Sequence, residues 1–172
     1  MLLDDCLLGS AILHDESTSD VFLVYVFHDI SALYYYVGGL PVRQQVAGEK
    51  LKGFPARLSE FYNDVHNGFT FFPARSMGPL SVDDFSSLSD LVDEDVEISD
   101  SLVTVFSNGG GDYLVIDRDG HDEDKGFIWW HDEPLTTLQE INIFEVMNTW
   151  ISIFLEDTRL RNEFLSGVIL ER

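Results

Sequence analysis

The sequence predicts an α+β domain in which helices pack on a β-sheet, and three observations carry that prediction. First, runs of Val, Phe and Tyr bounded by turn residues, such as DVFLVYVFHD from Asp20, favour strands. Second, residues 103–106 and 113–116 are β-type runs flanking the glycine cluster SNGGGD, which is a hairpin signal. Third, two segments carry apolar residues at helical spacing, and the later one has a stripe wide enough to pack on a sheet. At 172 residues, without repeats or a low-complexity linker, the chain suits one domain spanning residues 1–172.

In order along the chain, MLLDDCLLGSAILHDE is mildly apolar. Asp4 and Asp5 stand where a signal peptide would carry Lys or Arg, and no apolar run is long enough to span a bilayer. A cytoplasmic location is therefore expected. DVFLVYVFHD reads as a buried strand; ISALYYYVGGLP reads as a short helix or a second strand, closed by Gly38, Gly39 and Pro41. RQQVAGEKLKG is polar and reads as a loop or an exposed helical turn.

FPARLSEFYNDVHNGF is the best-specified helix. Pro55 fits its first turn, Leu58, Phe61, Tyr62 and Val65 share one face, and Asn67-Gly68 reads as the helix stop. FTFFPARSMGPLSV follows as a short strand and turn. The acidic stretch 82–101 is expected to be partly helical, with Phe85, Leu88, Leu91 and Val92 inward. GFIWWHDE reads as a strand in which Trp129 and Trp130 face opposite sides, one to the core and one to the surface. NIFEVMNTWISIFLEDTRLRNEF is a long helix with Ile143, Phe144, Met147, Trp150, Ile151, Phe154 and Leu155 on its apolar stripe.

Charge narrows the function. Ten Lys and Arg stand against 31 Asp and Glu, a formal net charge of -21. Nucleic acid and anionic membranes are disfavoured, because both are bound through cations that replace counterions. A basic protein partner would instead be attracted and steered. The single cysteine, Cys6, allows no internal disulfide and suits a reducing compartment.

The glycines do not form a phosphate cradle. A P-loop needs a Lys after its glycines, whereas Asp112 follows here and would repel a phosphate. A dinucleotide fingerprint must open a helix, whereas Tyr113, Leu114, Val115 and Ile116 favour a strand. Asn108, Gly109, Gly110 and Gly111 are therefore expected in a hairpin turn. The pairs His14-Asp15, His28-Asp29, His121-Asp122 and His131-Asp132 are adjacent residues, which on a strand point to opposite faces and seldom chelate together. HExxH, paired cysteines and a GxSxG elbow are absent. No catalytic residue, metal or cofactor is expected.

Three segments in order resemble the SUKH superfamily, which includes the yeast cell-wall (glucan synthesis) regulator family. FPARLSEFYNDVHNG, residues 54–68, is similar to its helix motif LP-x-x-[LY]-x-x-[FL]-x-x-x-x-NG, with Phe54 in place of the usual Leu. SNGGGDYLVIDRDG, residues 107–120, resembles its glycine turn and following strand. GFIWWHDE and the apolar helix after it resemble its Trp- or His-containing strand and closing helix. The resemblance covers residues 40–157 and leaves DVFLVYVF outside it. It implies a mostly antiparallel sheet packed by helices, and a non-enzymatic role. Many bacterial members look like immunity proteins that neutralise a toxin, often a nuclease or deaminase, and such nuclease toxins tend to be basic.

Two surfaces are candidates for that partner, since hot spots favour aromatic anchors ringed by polar groups. One is the acidic stretch Asp83, Asp84, Asp90, Asp93, Glu94, Asp95 and Glu97. The other is Trp129, Trp130, His131, Asp132 and Glu133, with Asp119, Asp122, Glu123 and Asp124 on the preceding loop. A regulatory or scaffold module with a cellular partner, or a hydrolase hidden among the carboxylates, are the competing readings.

Overall fold

Four strands without a single Asp, Glu, Lys or Arg begin the fold: β1 (Leu7–His14), β2 (Val21–His28), β3 (Leu33–Gly39) and β4 (Asn67–Phe72). They pair antiparallel in the order β1-β2-β3-β4. The computed structural model describes residues 7–28, 33–42, 48–92, 98–120 and 124–169, with side chains as far as residue 156. The β1–β2 turn is closed by Asp15, whose carboxylate accepts from the Ser17 amide at 2.9 Å and hydroxyl at 2.6 Å. Those bonds hold the Asp15 carboxyl below its ordinary range.

A second antiparallel sheet has the order β5-β6-β7-β8-β9, from β5 (Gly78–Pro79), β6 (Leu102–Ser107), β7 (Tyr113–Asp117), β8 (Lys125–Trp129) and β9 (Gln139–Asn142). The two sheets meet where β4 turns into β5, through an antiparallel bridge between Phe71 and Ser76. The protein is thus α+β with mostly antiparallel sheet packed by helices, the architecture expected from the sequence.

The second sheet is covered on both faces, which explains why its strands read as nearly continuous apolar runs. On one face lie α1 (Ala56–Glu60), the single π turn Phe61–Val65 that continues it, and α2 (Ile143–Ile169). Leu58, Tyr62, Leu114, Ile116, Ile143 and Met147 join there in the main core. On the other face Leu88, from the 3-10 turn Leu88–Leu91, packs against Val115 and Trp129. Phe85, Leu91 and Val92 are half-buried against one or other core, as their spacing predicts. Asn142 caps α2 by accepting from the Glu145 amide at 3.1 Å.

Of the two forms expected for the ISALYYYVGGLP segment, it takes the strand where it is described. Other expectations are corrected. The FPARLSEFYNDVHNGF helix is shorter than its motif. Pro55 stands at the N-cap, and after Glu60 the chain widens into the π turn, closed by the His66 amide on the Phe61 carbonyl at 3.0 Å. The extra residue swings Val65 off the apolar face, leaving it 49% exposed.

Asn67-Gly68 is not the helix stop. His66 already has extended dihedrals, because its buried ring is held by Tyr25 (Oη to Nε2, 2.7 Å) and by the Gly39 carbonyl (Nδ1, 3.1 Å). Asn67 begins β4, and Gly68, at φ +78°, is the additional residue of a bulge opposite Gly38 and Gly39. Asn67 also accepts from the Val82 amide at 2.8 Å, tying β4 to the start of the acidic stretch. The strands β1 and β9 have no counterpart among the sequence-predicted elements.

Candidate functional site

The glycine cluster is the tip of the β6–β7 hairpin. Asn108 organises it: its side-chain oxygen accepts from the amides of Gly110 (2.8 Å) and Asp112 (3.1 Å). Gly109 and Gly111 take φ of +78° and +106°, which side chains with a Cβ rarely adopt. The turn is a hairpin, as expected, and its glycines open no helix.

What the turn positions is Asp112. Its carboxylate, largely shielded from solvent, accepts from Asn108 Nδ2 at 2.7 Å and from the His131 amide at 3.1 Å. The His131 ring lies against Gly111, where a Cβ would stand 3.0 Å from its Cγ, and Nδ1 is 2.7 Å from Asp112 Oδ1. Nε2 lies 3.1 Å from Asp132 Oδ1, so both ring nitrogens face carboxylates. The hydrogen bond to Asp112, reinforced by both negative charges, holds the His131 pKa above its ordinary value against partial burial. For Asp112, burial pushes upward, but the bonds from His131 and Asn108 outweigh it and hold the carboxyl below its usual range.

Beside this pair, the two tryptophans divide as the alternation predicts. Trp129 is 6% exposed, and its indole N–H reaches the Pro134 carbonyl at 3.3 Å. Trp130, just past the end of β8, is 38% exposed. Its ring centroid lies 6.3 Å from Trp150 of α2, which in turn lies 5.9 Å from the fully buried Phe106. Trp130 is therefore a partly exposed aromatic anchored through Trp150 to the core, with Asp132 and Glu133 exposed next to it.

The structure thus joins Asn108–Asp112 to Trp130–Glu133, two segments singled out separately in the sequence. It does not gather all the acidic candidates there. Asp83 is ion-paired with Lys50, and Asp84 accepts from Ser81 Oγ at 2.7 Å. Asp90 is exposed on the 3-10 turn, and Asp124 is exposed where its carbonyl receives the Ile143 amide at 2.9 Å. Asp93, Glu94, Asp95, Glu97, Asp122 and Glu123 lie outside the described residues. Asp112 and Trp150 were missed as site residues. The turn-closing Asp112 carried no sequence signal for its partner, and Trp150 reads only as helix stripe.

Among the described residues no group of three or more His, Cys, Asp and Glu is placed to hold a metal ion, and no helix is long and apolar enough to cross a membrane. No family model matches the chain, and neither the curated proteins nor the solved structures compared with it give a match.

Proposed function

We propose that this is a cytoplasmic, non-enzymatic binding protein that neutralises a basic toxin of the nuclease or deaminase type, as the SUKH resemblance implies. The observation that carries the reading is Trp130: half-exposed, backed by Trp150, and bordered by Asp132, Glu133 and the Asp112–His131 pair. An anchored aromatic with a polar rim is the usual make-up of a binding hot spot. The surplus of carboxylates, -21 overall, supplies the long-range attraction that speeds association with a basic partner. No cofactor is needed for such inhibition.

The test is to read the frame adjacent to this one for a basic C-terminal toxin domain, to co-express that domain with the chain, and to measure its toxic activity; no such domain there also overturns the reading. Co-purification with loss of toxin activity, reversed by Trp130→Ala, supports the reading. Full toxin activity in the presence of folded protein overturns it.

A further inference from the structure

We infer that His131 is a proton-operated latch on Asp132: the charged ring holds that carboxylate in, and the neutral ring releases it to a Lys or Arg of the partner beside Trp130. The inference deepens the binding reading of this surface and rests on it. The ring bridges two turns. The β6–β7 tip supplies Asp112 and Gly111, whose missing Cβ leaves room for the ring. The other turn, Trp130–Glu133, is closed by the Glu133 amide on the Trp130 carbonyl at 3.1 Å. Nδ1 faces Asp112 at 2.7 Å and Nε2 faces Asp132 at 3.1 Å. An ionised carboxylate only accepts hydrogen bonds, so both contacts are satisfied at once only by the imidazolium, which donates from both nitrogens. Among the described residues neither Asp112 nor Asp132 pairs with a Lys or Arg, so His131 supplies the cation at this junction.

The two carboxylates are not equivalent. The Asp112 side chain is 13% exposed and also accepts from Asn108 Nδ2 at 2.7 Å and the His131 amide at 3.1 Å. The Asp132 side chain is 86% exposed, and among the described residues its carboxylate has no other bond. When the ring loses a proton, the remaining N–H therefore stays on Nδ1 with Asp112. An Nε2 lone pair is then left facing an Asp132 oxygen. That contact is repulsive, and the exposed Asp132 side chain turns out to solvent. The patch beside Trp130 loses a cation and gains a free carboxylate, and both changes favour a basic partner. The bond to Asp112 and the charges of Asp132 and Asp112 raise the ring's pKa, so release comes as pH rises past about 6.5.

NMR of the full chain alone tests the latch. The χ1 couplings of Asp132 should pass from one rotamer to an average with the same midpoint as the His131 ring, and the neutral ring should keep its proton on Nδ1. Asp132→Asn should lower that midpoint, and in His131→Gln the Asp132 rotamer should be averaged at every pH. An Asp132 rotamer indifferent to the ring's titration, a neutral ring protonated at Nε2, or an unchanged midpoint in Asp132→Asn overturns the proposal. Hexa-arginine peptide, followed at the Trp130 indole resonance, tests the consequence. Its affinity should rise through the ring's midpoint by up to about fivefold in wild type and stay level in His131→Gln. No response at Trp130, or the same pH dependence in His131→Gln, overturns it. Failure to inhibit a toxin would leave all these measurements unaltered, so the latch and the proposed inhibition fail separately.

Discussion

His131 rests on Gly111 and points Nδ1 at Asp112, 2.7 Å from its Oδ1, so one ion pair fastens the glycine turn to the loop after β8. The pair titrates in a definite window. The folded pKa of His131 is raised, so its contribution is complete below the unfolded value of about 6.5 and is lost as pH rises through the folded pKa. The Asp112 pKa is lowered, so its contribution is complete above about 3.9 and is lost as pH falls through the folded value. The melting temperature of Asp112→Asn should therefore fall furthest below wild type between these limits, and the difference should shrink without vanishing as pH rises through the folded His131 pKa, because the bonds from Asn108 and the His131 amide to the carboxylate remain. A difference independent of pH would refute the assignment.

The turn glycines should not be equivalent. Gly109 and Gly111 have positive φ, and each would bring a Cβ against a neighbour, Ser76 Oγ at 3.1 Å and the His131 ring at 3.0 Å. Replacing either with Ala should cost about 1–3 kcal/mol. Gly110 is not in the left-handed region and its Cβ would meet Asn108 at 3.4 Å, an ordinary contact, so Gly110→Ala should stay within about 0.5 kcal/mol of wild type. Urea denaturation of the three variants checks the order.

The adjacent tryptophans separate fold from binding. Trp129→Ala empties a buried site and should destabilise by about 3–5 kcal/mol. Trp130→Ala should change stability far less, but, if the proposed inhibition holds, should weaken binding of the proposed basic toxin by about 2 kcal/mol or more, roughly thirtyfold. Thermal melts and titration calorimetry read the two effects apart.

The smaller core under the 3-10 turn rests on Leu88, which is 1% exposed between Val115 and Trp129. Leu88→Ala should cost about 2–5 kcal/mol. Asp83→Asn, removing one partner of an exposed ion pair with Lys50, should cost about 0–1 kcal/mol. Equal losses would mean that the 82–92 segment is held by charge rather than by packing.

The sequence by itself determined the elements whose residue types leave little choice. Val/Phe/Tyr runs became β2, β6 and β7, the Asn-Gly-Gly-Gly cluster became a hairpin tip, and the wide stripe from Ile143 became α2. It also separated buried Trp129 from exposed Trp130, since alternation along a strand is local geometry. Tertiary structure decided the rest. LLGSAILH and QEIN, with small or polar residues, are strands because an existing edge offers them hydrogen bonds. Asn67-Gly68 would suit a helix end, but His66, buried and bonded to Tyr25 and Gly39, extends the chain one residue earlier. The pairing of Asp112 with His131 joins residues nineteen apart through the β7–β8 pairing. Side-chain type sets local preference, whereas such contacts depend on which distant backbone arrives beside them, and only the assembled sheets fix that.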